Sequence, residues 1–208
     1  MDISAIAALA PVVPVLTVER TADAVPLARA LVKGGLPALE ITLRTGAALE
    51  ALKAIAAEVP EAVVGAGTVL KPGQFEQIRR AGARFAVSPG STPALVTAAR
   101  AAGLPFLPGI QTVSEAMVLA DDGFRLLKFF PADAAGGRAW LKAVAAPLAG
   151  LRFCPTGGIG IDTAQDYLSL ANVACVGGSW VAPGDAVAAG DWARIERLAA
   201  AAAQFTRP

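Results

Sequence analysis

Lys128 stands in the run Phe124-Arg125-Leu126-Leu127-Lys128-Phe129-Phe130-Pro131, with apolar residues on both sides. In an extended chain Leu126, Lys128 and Phe130 share one face, and Leu127 and Phe129 the other. Where both faces of such a strand are covered, the ammonium loses its water. Desolvation favours a neutral amine, and the neutral amine adds to a ketone to form an imine. The alternative for this lysine is a salt bridge to a neighbouring carboxylate. A second polar interruption occurs in Ala38-Leu39-Glu40-Ile41-Thr42-Leu43-Arg44, where Glu40, Thr42 and Arg44 share a face. A buried Glu40 suits proton shuttling, or else forms a structural ion pair in the interior. Arg44 falls where the run ends. It is either a bidentate clamp for a substrate carboxylate or a plain surface arginine.

Two glycine clusters follow apolar runs: Cys154-Pro155-Thr156-Gly157-Gly158-Ile159 and Val176-Gly177-Gly178-Ser179-Trp180. Backbone N–H groups that approach a phosphate closely need such residues, although tight turns without a ligand would use them too. Thr68 in Gly65-Ala66-Gly67-Thr68 and Pro89 in Ser88-Pro89-Gly90 end two further runs. The chain has no histidine. The usual ligand of catalytic zinc and the usual general base near neutral pH are thus missing. Zinc-dependent aldol chemistry and a Ser-His-Asp triad are not expected, whereas a lysine and a carboxylate are at hand.

The elements that must position these residues alternate. Short β-rich runs at about Val12–Leu16, Ala38–Leu43, Val63–Ala66, Phe85–Ser88, Phe106–Pro108, Arg125–Phe130, Arg152–Pro155 and Ala174–Gly177 are separated by Ala-rich helical stretches. Their starts lie roughly 20 to 27 residues apart, the length of a strand, a helix and two short loops. Ala22–Lys33, Ala47–Val59 and Pro93–Ala102 carry helical spacing, and Arg194–Ala203 reads as an amphipathic terminal helix. Thr21, Ser91-Thr92-Pro93 and Thr112 are helix-start signals, and Gly34-Gly35, Gly82 and Gly103 are stop signals. Eight such units without a long linker predict an α/β fold over residues 1–208, a single (β/α)8 TIM barrel with an extra N-terminal helix. In such a barrel function gathers at the C-terminal strand ends, with phosphate sites after strands seven and eight. An open doubly wound sheet is the alternative. It would be expected to carry a glycine fingerprint after its first strand, where this chain has Leu16-Thr17-Val18-Glu19.

A net charge of +1 argues against nucleic acid or an anionic membrane as partner, since either would want a clustered basic face. Only 17% of residues are charged, which predicts an apolar patch covered by a second subunit. Cys154 and Cys175, each in an apolar run, read as reduced core thiols of a cytoplasmic protein. Residues 3 to 18 are largely apolar but lack a basic flank, and Pro11 and Pro14 break the run, so no signal peptide is expected.

Taken together and in order, the motifs resemble one family. They are Pro11-Val12-Val13-Pro14-Val15, Leu39-Glu40-Ile41-Thr42-Leu43-Arg44-Thr45, Val64-Gly65-Ala66-Gly67-Thr68-Val69, Ser88-Pro89-Gly90, Lys128-Phe129-Phe130-Pro131, Phe153-Cys154-Pro155-Thr156-Gly157-Gly158 and Gly177-Gly178-Ser179-Trp180. They are similar to the bacterial 2-dehydro-3-deoxy-phosphogluconate aldolases, which also act on 4-hydroxy-2-oxoglutarate. The resemblance implies a cytoplasmic, homotrimeric class I aldolase that needs no metal and no organic cofactor. Its substrates would be a phosphorylated 2-keto-3-deoxy sugar acid and pyruvate. By the same resemblance Lys128 forms the imine and Glu40 moves protons. Arg44 and Thr68 hold the pyruvate carboxylate, with Pro89 at the mouth and Phe130 beside the imine. Thr156 influences the stereochemistry at C4, and Gly157, Gly158, Gly178 and Ser179 bind the phosphate. A related group acting on the galactonate epimer lacks the Cys-Pro-Thr-Gly-Gly run, which favours the gluconate form here. Ala135 departs from the pattern, at a loop position expected to be polar. Two other functions fit the same elements: a sugar-phosphate isomerase or epimerase, and a non-catalytic protein that binds sugar-acid phosphates.

Overall fold

The computed structural model describes residues 1–208. Nine strands occur: β1 Val12–Leu16, β2 Ala38–Thr42, β3 Val63–Gly67, β4 Ala86–Val87, β5 Phe106–Leu107, β6 Gly109–Ile110, β7 Leu126–Phe129, β8 Arg152–Pro155 and β9 Val176–Gly178. The helices are α1 Ile3–Ala7, α2 Thr21–Lys33, α3 Ala48–Glu58, α4 Gly73–Arg80, α5 Pro93–Ala102, α6 Val113–Asp121, α7 Gly137–Val144, α8 Ile161–Leu168, α9 Gly184–Ala189 and α10 Trp192–Ala203. The β1, β8 and α5 ranges agree with the sequence expectation residue for residue. Thr92 caps α5 through its side chain, and Thr112 and Glu115 form a reciprocal capping box on α6. Thr21 is a correction: it is the first residue of α2, and Arg20 occupies the cap, making no side-chain capping bond to the backbone but pairing with Asp23 in the first turn.

The expected closed (β/α)8 TIM barrel is also corrected. All strand pairs are parallel, but they form two sheets. One is a curled six-stranded sheet in the order β5-β4-β3-β2-β1-β9, the other a three-stranded sheet in the order β6-β7-β8. The break has a covalent cause. The strand expected at Phe106–Pro108 stops at Leu107, and a further strand, not expected, follows Pro108, which has no N–H to offer a ladder. Phe106 and Leu107 pair with β4, whereas Gly109 and Ile110 pair with β7. At the other junction only the isolated bridges Phe153↔Val173 and Thr156↔Gly177 link β8 to the segment containing β9.

Two apolar clusters hold these layers. The larger comprises 51 buried residues, including Leu27, Leu31, Leu52, Ile55, Phe75 and Ile195 from the helices and Leu39, Ile41 and Phe129 from the strands. The smaller comprises 11 residues, among them Ile6 and Ala7 of α1, Phe85, Leu126, Cys154 and Cys175. α1 therefore closes off strand side chains that would otherwise meet water. Both cysteines are free and buried. No helix is long and apolar enough to cross a membrane.

Candidate active site

Glu40 and Lys128 approach each other across the gap between the two sheets. Glu40 lies mid-way along β2, whose five residues are all buried, and Lys128 is the third residue of β7. Lys128 Nζ donates to Glu40 Oε1 at 3.1 Å and to Oε2 at 3.5 Å. The lysine is 5% exposed and the glutamate 3%. The ion-pair alternatives left open for Lys128 and for Glu40 are therefore realised as one pair. Such a pair is weak evidence for stability, because desolvating two charges offsets most of their attraction. Its value is chemical, since the carboxylate stands where it can take the proton the amine must lose before adding to a carbonyl.

The backbone around the pair explains its position. Register places Glu40 beside Gly65 and Thr42 beside Gly67 on β3. A Cβ on Gly67 would collide with the Glu40 carboxylate, so the glycine makes the space that the acid occupies. Thr42 is fully buried and donates through Oγ1 to the Leu16 carbonyl at 2.9 Å, within reach of Thr17 Oγ1 at 3.2 Å. On the other side, register sets Lys128 between Gly109 of β6 and Cys154 of β8. Phe130 lies one residue past β7, half-buried, with its ring centroid 5.6 Å from Lys128 Nζ. That distance is suited to a cation–π contact.

At the C-terminal ends of β2 and β3, Arg44 Nε donates to Thr68 Oγ1 at 3.1 Å, and Arg44 is exposed. Thr68 has φ +58°, and no other non-glycine residue in the chain has a positive φ. A β-branched residue in this region carries strain of order 1–3 kcal/mol, which persists only where surroundings enforce it. Here the Val69 N–H is tied to the Val87 carbonyl and the Thr68 hydroxyl to Arg44.

The remaining expected residues sit at the same ends of other strands. Thr156 follows β8, is buried, and bridges to Gly177 of β9, so the two glycine clusters are neighbours. Gly157 and Gly158 adopt φ +101° and +79°, which few side-chain-bearing residues tolerate. Gly157 packs against the Phe130 ring. Gly178 is buried and Ser179 exposed. Pro89 is half-buried, and its backbone lies against Gly109. The structure thus joins Lys128 to Glu40 and Phe130, Arg44 to Thr68, and Thr156 to the second glycine cluster. No hydrogen bond links the Arg44–Thr68 group directly to the Lys128–Glu40 group. Sequence reasoning missed the role of Gly67, although its place in Val64-Gly65-Ala66-Gly67-Thr68 beside a charged strand was a usable signal. It also missed the left-handed backbone at Thr68, for which a threonine gives no local cue. No three His, Cys, Asp or Glu side chains converge where they could hold a metal ion.

Comparison with known proteins agrees with this geometry. The family model described as KDPG and KHG aldolase matches residues 3–198. The KHG/KDPG aldolase of Escherichia coli K12 is 54% identical over 189 residues, covering 91% of this chain and 89% of that protein. A KDPG aldolase from Legionella pneumophila, with pyruvate captured at low pH as a covalent carbinolamine intermediate, superposes with a TM-score of 0.94. It is 45% identical, and the match covers 97% of this chain and 98% of that one. The 2-keto-3-deoxy-6-phosphogluconate aldolase of Zymomonas mobilis ZM4 with 3-phosphoglycerate has the same TM-score at 48% identity, covering 99% and 97% of the two chains. A histidine-free chain with a lysine and a glutamate buried together and glycines at adjacent strand ends thus matches this family over nearly its whole length: it belongs to the KDPG and KHG aldolase family.

Proposed function

We propose that this protein cleaves 2-dehydro-3-deoxy-6-phosphogluconate to pyruvate and glyceraldehyde 3-phosphate through a Schiff base on Lys128, and that it also cleaves 4-hydroxy-2-oxoglutarate. The observation that carries this reading is the buried Lys128–Glu40 pair, with Nζ 3.1 Å from Oε1. The amine gives up a proton and adds to the C2 carbonyl, forming a carbinolamine that loses water to an iminium. The iminium draws the C3–C4 bonding pair into an enamine while a carboxylate takes the C4 hydroxyl proton, releasing the aldehyde. Protonation at C3 and hydrolysis then return pyruvate and the free amine. Glu40 is the carboxylate within reach of Nζ, directly or through one water.

The Arg44–Thr68 hydrogen bond supports a role for both in holding the pyruvate carboxylate, since it leaves most of the guanidinium free to donate. The ring of Phe130 near Nζ supports its packing beside the imine, and Pro89 is read as lining the mouth. Thr156, adjoining both glycine clusters, is read as setting stereochemistry at C4. Gly157, Gly158, Gly178 and Ser179 are read as the phosphate cradle, favoured by the positive φ of the first two. Preference for the gluconate epimer is supported by 48% identity to the Zymomonas mobilis structure against 29% to a native KDPGal structure. Residues 1–208 are read as one domain in a cytoplasmic protein that works without metal or organic cofactor. A homotrimer is favoured by apolar side chains exposed on α6, with Val113 39%, Met117 55% and Val118 60% exposed. A designed cage made by fusing symmetric oligomeric domains also matches 92% of this chain at 29% identity and a TM-score of 0.81.

Borohydride reduction in the presence of pyruvate, followed by intact mass and peptide mapping, tests the central claim. One reduced pyruvate per chain, located on Lys128 and absent from Lys128→Met, is the expected result. Folded protein that traps no pyruvate would sink the imine mechanism and bring forward an isomerase or a binding protein.

A further inference from the structure

A second polar cavity lies at the N-terminal ends of the strands, away from Lys128. It encloses about 400 Å³ and is lined in part by Arg125, Arg152 and Arg207. Arg125 immediately precedes β7 and Arg152 opens β8, so their backbones are fixed by the sheet. Arg207 reaches in from the far end of the chain, where its guanidinium donates to the carbonyls of Ala7, Ala8 and Ala174 at 3.1–3.2 Å. Arg152 Nη2 donates to the Val173 carbonyl at 2.9 Å, and Arg125 Nη1 to the Ala120 and Phe124 carbonyls at 2.8 and 2.9 Å.

None of the three forms an ion pair, unlike Arg20, Arg79, Arg80, Arg100, Arg138 and Arg194 elsewhere in the chain. No Asp or Glu side chain lines the cavity, whose wall is completed by Ser4, Ala8, Gly150, Ala174 and Pro208. Three arginines therefore border one concave space, each held by neutral carbonyls and none paired with an Asp or Glu side chain. Each guanidinium keeps donors unused by the protein, since it carries five N–H groups. Like charges along one concave wall attract an anion, and a planar fork matches phosphate oxygens in a bidentate fashion.

We propose that this cavity is an anion site separate from the catalytic centre, taking a small phosphate-bearing ligand. Its floor includes Leu126, two residues before Lys128 on β7, and Arg152 lies two residues before Cys154, the register partner of Lys128. A bound anion would therefore brace β7, which carries Lys128, and β8, which leads into Thr156.

The test is the binding stoichiometry of inorganic phosphate and pyrophosphate, by calorimetry on the full-length protein and on Arg125→Gln/Arg152→Gln. Because the catalytic centre can also hold phosphate, the decisive readout is the difference. The double variant should show one site fewer per chain, or that site weakened at least about tenfold, with its basal cleavage rate unchanged. Glycerol 3-phosphate, compared with inorganic phosphate at the lost site, separates a phosphorylated metabolite from free phosphate as occupant. Equal stoichiometry and affinity in both proteins would overturn the proposal. Should the double variant fail to fold, selenate soaked into crystals of the unaltered protein decides it. An anomalous peak among the three arginines supports the site, and its absence at a concentration that occupies the catalytic centre refutes it.

Discussion

In the proposed mechanism two requirements meet at Glu40: it must be close enough to accept a proton from Lys128, and free enough to pass one on to a substrate. Replacing it by glutamine keeps the shape and the hydrogen bond but removes the base. Loss of a positioned general base typically costs about 10²–10⁴-fold in rate. Glu40→Gln is expected to fall in that range in kcat while still trapping pyruvate slowly with borohydride, so single-turnover cleavage and trapping together check it. Gly67 is the less obvious residue. Its Cβ would overlap the Glu40 carboxylate, and its backbone is not in the left-handed region. Gly67→Ala should therefore act through displacement of Glu40 rather than through backbone strain. Overpacking of this kind costs about 1–3 kcal/mol, and the expected outcome is a lower Tm with kcat reduced more than KM is changed. A wild-type kcat in Gly67→Ala would show that the space beside Glu40 is not needed.

At the scale of the element, helix and strand ends do most of the positioning. Thr68, held at φ +58° past β3, brings its hydroxyl to Arg44. Substituting glycine removes strain of about 1–3 kcal/mol against a chain-entropy cost of about 0.5–1 kcal/mol. Thr68→Gly is expected to keep or raise Tm while raising the KM for pyruvate-forming cleavage, a split that steady-state kinetics and thermal unfolding would expose. α4 offers a pH prediction. Hydrogen bonds from Arg79 and then Arg80 hold the Glu76 carboxyl at about 2, against an ordinary value of 4.5. Because the folded-state value is depressed, the stabilising contribution is present above the ordinary value and fades as pH falls from 4.5 towards 2. The groups are exposed, so added salt should screen the effect. Thermal unfolding of wild type and Glu76→Gln should differ slightly near neutral pH and converge in strong acid. A gap that widened on acidification would contradict this sign.

At the scale of the whole molecule, the division into two sheets is what gives the buried Lys128–Glu40 pair its setting. Glu40 belongs to the six-stranded sheet and Lys128 to the three-stranded one, 88 positions apart in the chain. The apolar side chains on α6 bear on assembly. If Val118, 60% exposed, packs into a subunit interface, Val118→Arg should dissociate the proposed trimer, read as a mass near one chain by light scattering. An unchanged mass would place the interface elsewhere or show that the chain works alone.

Much of the candidate site was legible in the sequence because its residues break local patterns. A lysine within Leu126-Leu127-Lys128-Phe129-Phe130 and a glutamate within Leu39-Glu40-Ile41 are costly interruptions of buried strands, and cost of that kind marks function. The strands and several helix caps were legible for the same reason, since alternation, Thr92-Pro93 and Thr112 with Glu115 are local signals. What the one-dimensional pattern did not determine was closure. Eight repeating units are compatible with a closed ring, but whether ladders join depends on hydrogen bonds between segments far apart in sequence. One residue without an N–H, Pro108, separates the strand expected at Phe106–Pro108, which joins one sheet, from the unexpected Gly109–Ile110, which joins the other. The partner of Lys128, the space that Gly67 leaves for Glu40, the left-handed turn at Thr68 and the three unpaired arginines at the opposite end were likewise decided by tertiary structure. Each is a relation between distant segments, and local periodicity carries no information about which distant side chains will meet.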